Sequence, residues 1–200
     1  MPQDDLLVDP KDWSTQRWKN GGGVTHEVWR WSDPKSGELG PDAYDLRLSV
    51  AELDGAGPFS LFPGYYRTLI ALEDTMLELA TPGSKPRAMK KHVALHFPGD
   101  VAAETLGRGR ATDLNVISRL ARRRAHVEVS KRESARGSNI WPSTRLQRLA
   151  IFALTAVTLR EGDEKIRELQ AQQTWIQIND SPNERDVDHV ASAPVVWIRF

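Results

Sequence analysis

Tyr44-Asp45-Leu46-Arg47-Leu48-Ser49-Val50-Ala51 alternates strictly, with Tyr44, Leu46, Leu48 and Val50 on one side and Asp45, Arg47 and Ser49 on the other. A period of two is that of an extended strand, whose successive side chains face opposite ways, and it does not fit the 3.6-residue repeat of a helix. The same reading holds outward in both directions. Upstream, Thr25, Glu27, Trp29 and Trp31 share one face and His26, Val28 and Arg30 the other. Downstream lie Phe59 to Phe62, Tyr66 to Leu72, Met76 to Leu79, Val93 to Phe97, Asp113 to Ser118 and Ala125 to Val129. Turn-rich segments such as Asp54-Gly55-Ala56-Gly57-Pro58 and Phe97-Pro98-Gly99-Asp100 punctuate them. Short strands spaced about ten residues apart predict an antiparallel sandwich or barrel.

Residues 1–17 read as an irregular lead-in, with Asp9-Pro10 as a turn, and residues 32–41 as a loop dense in Gly, Pro and Ser. Beyond Val129 the chain turns polar and basic up to Arg148, an exposed loop with Trp141 as its anchor. Strand patterns then resume at Leu149 to Leu154, Val157 to Leu159, Thr174 to Ile178 and Pro194 to Phe200. Glu164 to Gln173 fits either a short helix or a ragged strand. The expected fold is therefore all-β, with two β units packed in one body: residues 1–129 and 130–200, the boundary falling in the basic stretch 119–148.

At 200 residues and 40% hydrophobic content the chain can bury a sizeable core. Cysteine is absent, which excludes disulfides, thiolate chemistry and cysteine-based zinc sites. The start, Met1-Pro2-Gln3-Asp4-Asp5, lacks the basic and apolar regions of a signal peptide, and no apolar run is long enough to cross a bilayer. A cytoplasmic protein without a membrane partner is expected. Basic and acidic residues balance at 27 each, but residues 85–148 carry 15 Lys/Arg against 5 Asp/Glu, leaving a net −10 on the rest. That asymmetry suits a solvated face or a contact with a second copy, and exposed strand edges make a homodimer possible. It does not suit nucleic acid: no aromatics interleave the basic residues, and the acidic remainder opposes a polyanion.

Trp18-Lys19-Asn20-Gly21-Gly22-Gly23-Val24-Thr25-His26-Glu27 is the other distinctive stretch. Consecutive glycines give up backbone order, so a run of three implies either positive φ angles or a close approach to the backbone. The large rings of Trp13, Trp18, Trp29 and Trp31 around it argue against a linker. Nor is it a phosphate-cradling loop, because it lacks a Gly-Lys-Ser/Thr ending and leads into a strand.

Trp18 to Thr25, Asp45-Leu46-Arg47-Leu48-Ser49, Gly57-Pro58-Phe59-Ser60-Leu61-Phe62-Pro63-Gly64, Arg67-Thr68-Leu69, Phe97-Pro98-Gly99-Asp100 and Asp113-Leu114-Asn115-Val116 resemble, in that order, the motifs of the HutD/Ves family of cupin-like proteins. The resemblance covers about residues 13–129. It implies a bicupin of the RmlC-like jelly-roll class, found in or beside histidine-utilisation operons, with formylated or formimino glutamate compounds as suggested ligands.

Metal-dependent cupins bring two or three histidines and a carboxylate together, typically from a His-x-His pair. The five histidines here, His26, His92, His96, His126 and His189, include no such pair. His92 and His96 on one strand would stand about 13 Å apart. No metal and no cofactor is expected, although a constellation of His26, Glu27 and His96 is the one to check. Neither a cysteine nor a Gly-x-Ser-x-Gly elbow offers a nucleophile. What remains is a polar face. Arg47 and Ser49 share one side of their strand and Arg67 interrupts an apolar run, and a guanidinium turned inward needs an anionic partner. Guanidinium groups grip carboxylates bidentately. Lys19, Asn20, Thr25, Arg47, Ser49 and Arg67 are therefore the expected lining of a pocket for a small carboxylate, unless the arginines pair with Glu27, Asp45 or Glu73. Glu27 is the candidate general base if the pocket catalyses, as a metal-independent isomerase or hydrolase would.

Overall fold

The structure, a computed structural model, describes residues 5–19, 21–33, 43–121, 124–130, 148–161, 164–178 and 189–200. Asn20, Trp141 and most of the basic loop lie outside them. The chain clusters into two compact units, Trp13–Ala125 and a second composed of Met1–Asp12 with His126–Phe200. The described residues are all-β but for one 3-10 turn, Pro10–Asp12. No helix among them is long and apolar enough to cross a membrane.

β1 (Leu6–Val8) opens the chain and belongs to the second unit. The Trp13–Ala125 unit contains β2 (Ser14–Arg17), β3 (Gly23–Trp31), β4 (Leu46–Leu53), β5 (Gly57–Pro58), β6 (Tyr65–Ala71), β7 (Glu78–Ala80), β8 (Arg87–Ala88), β9 (Ala94–Pro98), β10 (Glu104–Leu106) and β11 (Ala111–Arg119). They form a six-stranded sheet in the order β2-β3-β4-β11-β6-β9 and a four-stranded sheet in the order β5-β10-β7-β8. The apolar core draws on both, with Ala51, Leu53, Leu69, Ala71, Leu95, Phe97 and Ala111 from the larger sheet and Leu79 from the smaller. Leu77, Met89 and Ala103 beside the smaller sheet, with Phe59, complete it. Two antiparallel sheets around one core are the cupin-like arrangement.

The second unit continues with β12 (His126–Val129), β13 (Arg148–Ala153), β14 (Val157–Glu161), β15 (Glu164–Leu169), β16 (Thr174–Ile178), β17 (His189–Ala191) and β18 (Val195–Arg199). Its sheets run β1-β16-β13-β18-β12 and β15-β14-β17, around Ile151, Ala153, Val157, Leu159, Leu169, Trp175 and Val195.

Three expectations change. Within the expected irregular lead-in, residues 5–17 include two strands: Leu6–Val8 pairs with Thr174–Ile176, and Ser14–Arg17 with Val24–Glu27. Edge strands this short draw their order from the neighbour they bond, not from their own pattern. Phe59 to Phe62 is loop rather than strand, held between Pro58 and the turn at Gly64, whose φ is 81°. Between the two forms open for Glu164 to Gln173, the structure has strand to Leu169 and then a turn, with Gln172 at φ 66°.

The glycine run is the hairpin turn between β2 and β3, and both reasons for glycine occur in it. Gly21 has φ 74°, and a Cβ at Gly23 would stand 2.5 Å from the backbone oxygen of Glu52.

Candidate functional site

Residues directly opposed in an antiparallel sheet point to the same side, so the registers of the six-stranded sheet sort its side chains into rows. One row is Arg30, Arg47, Ile117, Arg67, Phe97; the next is Glu27, Ser49, Asn115, Leu69, Leu95; the third is Thr25, Ala51, Asp113, Ala71. All three lie on the interior face, because Ala51, Leu69, Ala71, Leu95 and Phe97 belong to the core. Thr25, Glu27, Arg47, Ser49 and Arg67 are thereby brought onto one face of four adjacent strands. Lys19 is exposed in the β2–β3 turn.

Arg47 and Arg67 flank Ile117 on one row, two strands apart, so their Cα atoms are about 10 Å from each other. Their surroundings differ. Arg47 Nε donates to Glu27 Oε2 at 2.8 Å, and Arg30 Nε stands 3.4 Å from Oε1 of the same carboxylate. Glu27 is thus the ion-pair partner of two cations, the pairing that is the alternative to a ligand for Arg47.

Arg67 has none of the partners expected for it. It is 2% exposed, and its guanidinium carbon lies 5.0, 5.1 and 5.0 Å from the ring centroids of Phe59, Phe62 and Phe97. Nη1 donates to the Ser60 carbonyl at 3.1 Å, while Nε, also buried, has no hydrogen-bond partner. Burial brings its pKa down to about 10, so it stays charged at neutral pH. Two rings and one carbonyl of the Phe59–Phe62 loop thus face that cation.

Asp113 was not singled out as a site residue. It is fully buried, and neither carboxylate oxygen has a hydrogen-bond partner. Burial pushes its pKa up to about 7, with the charge of Arg67 opposing that shift. Asn115, 7% exposed, has an unpartnered Oδ1. The available signal was the alternation of Asp113-Leu114-Asn115-Val116, which puts two polar side chains on one face.

His26 faces the opposite way from Glu27, as neighbours on a strand do. Its ring bridges Thr15 Oγ1 and Glu52 Oε1, each at 2.9 Å, while His96 Nδ1 meets Thr68 Oγ1 at 2.9 Å. The constellation of His26, Glu27 and His96 is therefore not assembled. Among the described residues no group of three His, Asp or Glu is placed to hold a metal. In the second unit a cleft of about 210 Å³ is lined by Thr158, Glu168, Gln170 and Ser192 among others, and offers no cation to a carboxylate.

The chain is 36% identical over 124 residues to an uncharacterised 21.2 kDa protein in the hutC 3' region of Pseudomonas putida, covering 61% of this chain and 62% of that one. It is 34% identical over 117 residues to protein Ves of Citrobacter koseri, covering 58% of each. It thus spans about three-fifths of the length of these two relatives. In fold it is similar to HutD from Pseudomonas fluorescens SBW25, with a TM-score of 0.76 at 20% identity, covering 98% of this chain and 97% of that one. A conserved protein of unknown function from Pseudomonas aeruginosa PAO1 gives 0.73 at 24% identity with the same coverage. The HutD family model matches residues 10–192, nearly the whole chain. The chain belongs to the HutD family.

Proposed function

We propose that the protein binds a small carboxylate-bearing metabolite linked to histidine degradation, of the formylglutamate kind, on the interior face of the Trp13–Ala125 unit, and that its two units form a bicupin. The observation that carries this reading is Arg67: a buried, charged guanidinium with an unpartnered Nε, on the same row as Arg47 and among Thr25, Ser49 and Asn115. A buried cation without a bonded anion is costly, and a ligand carboxylate removes that cost. The link to histidine degradation is supported by family membership and by the hutC-region relative. Calorimetry with N-formyl-L-glutamate tests it. Binding that is abolished in Arg67→Ala, in a variant that still folds, supports the site, and unchanged affinity removes it.

A second reading, turnover of the same ligand without a metal, is favoured by Asp113, a buried carboxyl with a pKa near neutrality and thus suited to proton transfer. Product formation followed by NMR in wild type, and its absence in Asp113→Asn with binding retained, would support it.

A further inference from the structure

The carboxylate reading uses the arginine row and leaves the third row of the same face unexplained. There Asp113 is fully buried, and both of its oxygens lack a hydrogen-bond partner. One row away, Asn115 presents an unpartnered Oδ1 on the same strand and the same face, about 7 Å along it. Buried acceptors are almost always satisfied, so adjacent unsatisfied ones on one face require an explanation. Their surroundings do not provide the missing donors. Asp113 is flanked in its row by Ala51 and Ala71, whose methyl groups offer none, and the Thr25 hydroxyl beyond Ala51 does not bond either of its oxygens. Arg67 acts on Asp113 through its charge without bonding it.

The face is therefore graded. Donors stand at the Arg47–Arg67 row; unsatisfied acceptors stand one and two rows further on. The small side chains beside Asp113 leave its two oxygens without a donor at that level of the sheet. Resting on the carboxylate reading for the arginine end, we propose that Asp113 and Asn115 form a second subsite that accepts hydrogen bonds from an N–H-bearing group of the ligand, so that the site selects carboxylates carrying an amide, amidine or amine over plain carboxylates of the same shape.

A pair of probes differing in one position tests this: N-acetyl-L-glutamate and 2-acetoxyglutarate, in which the amide N–H is replaced by an ester oxygen. Calorimetry on the wild-type chain should give at least about tenfold tighter binding of the amide, because a site built to accept a hydrogen bond rejects the analogue that lacks it. Asp113→Asn replaces one of the two acceptor oxygens by an NH2 donor and should bring the ratio towards one while both probes still bind. Asn115→Thr is the companion variant, expected to reduce the ratio in the same direction if Asp113→Asn does not fold. Equal affinity of wild type for the two probes overturns the subsite, as does an unchanged ratio in both folded variants. If both probes bind and Arg67→Ala abolishes that binding, such a result leaves the carboxylate reading standing. If neither probe binds the wild-type chain, both readings fall together.

Discussion

Arg67 carries its guanidinium 5.0 Å from the ring of Phe97, the residue directly opposite it on the neighbouring strand. Phe59 and Phe62 approach from a loop to complete the enclosure. The two jobs of this side chain, filling the core and holding a charge, can be separated. Arg67→Met keeps much of the volume and removes the cation, and exchange of a buried charge for an apolar group is often neutral or stabilising. The melting temperature should stay within a few degrees of wild type or rise, while calorimetry detects no carboxylate binding. Arg67→Ala, which also opens a void, should lose about 3 kcal/mol in denaturant unfolding.

Asp113 makes stability depend on pH in a predictable direction. Its pKa rises from 3.8 to about 7 on folding because the carboxyl is buried. An acid with a raised folded pKa binds its proton more tightly in the native state, so its contribution is complete below pH 3.8 and lost as pH rises through about 7. Over that window the slope is up to about 1.4 kcal/mol per pH unit. Asp113→Asn should remove this component, and subtracting its urea-unfolding series from that of the wild type isolates it. Identical pH profiles would show that the carboxyl is not held protonated.

His26 and Glu27 are neighbours in sequence with separate duties. His26 ties Thr15 of edge strand β2 to Glu52 of β4 from the face opposite the arginines. His26→Ala should cost about 1–2 kcal/mol by denaturant unfolding, the usual range for lost hydrogen bonds. Carboxylate affinity should be unaffected. A large change in affinity would mean that both faces of β3 serve the ligand.

Two glycines of one run should respond unequally. Alanine at Gly21 meets no atom within 4 Å but keeps φ 74°, at a cost of about 1 kcal/mol. Alanine at Gly23 would place its Cβ 2.5 Å from the Glu52 carbonyl and force β3 away from β4, at a cost of about 3 kcal/mol. Paired thermal melts compare them directly.

That the Trp13–Ala125 unit is built of strands is legible in its alternation, yet alternation reports a period and not which face is wet. The Tyr44 to Ala51 segment reads as having a polar side, but Ser49 on that side is 2% exposed because that face of β4 turns towards the core. Arg67 was legible as a charge inside an apolar run. Its phenylalanine enclosure was not, since Phe59 and Phe62 looked like strand residues until a cation gave their loop something to close on. The sequence offers Glu27 both as a candidate base and as a partner for an arginine, and the pairing with Arg47 is present, with Arg30 as a second cation that local sequence did not point to. The unsatisfied acceptors of Asp113 and Asn115 are properties of what surrounds them, which no window of local sequence contains.

The pairing of Leu6–Val8 with Thr174–Ile176 bears on how the molecule is made. During synthesis Leu6–Val8 leaves the ribosome well before Thr174–Ile176, so it must wait while Trp13–Ala125 is free to fold. Asp9, which receives Gln173 Nε2 at 2.8 Å, waits with it. Removing the first dozen residues would therefore injure the distant carboxy-terminal unit and spare the arginine-bearing one beside the cut. A permuted chain that carries Leu6–Val8 behind Phe200 would shorten the wait and hasten assembly of that unit.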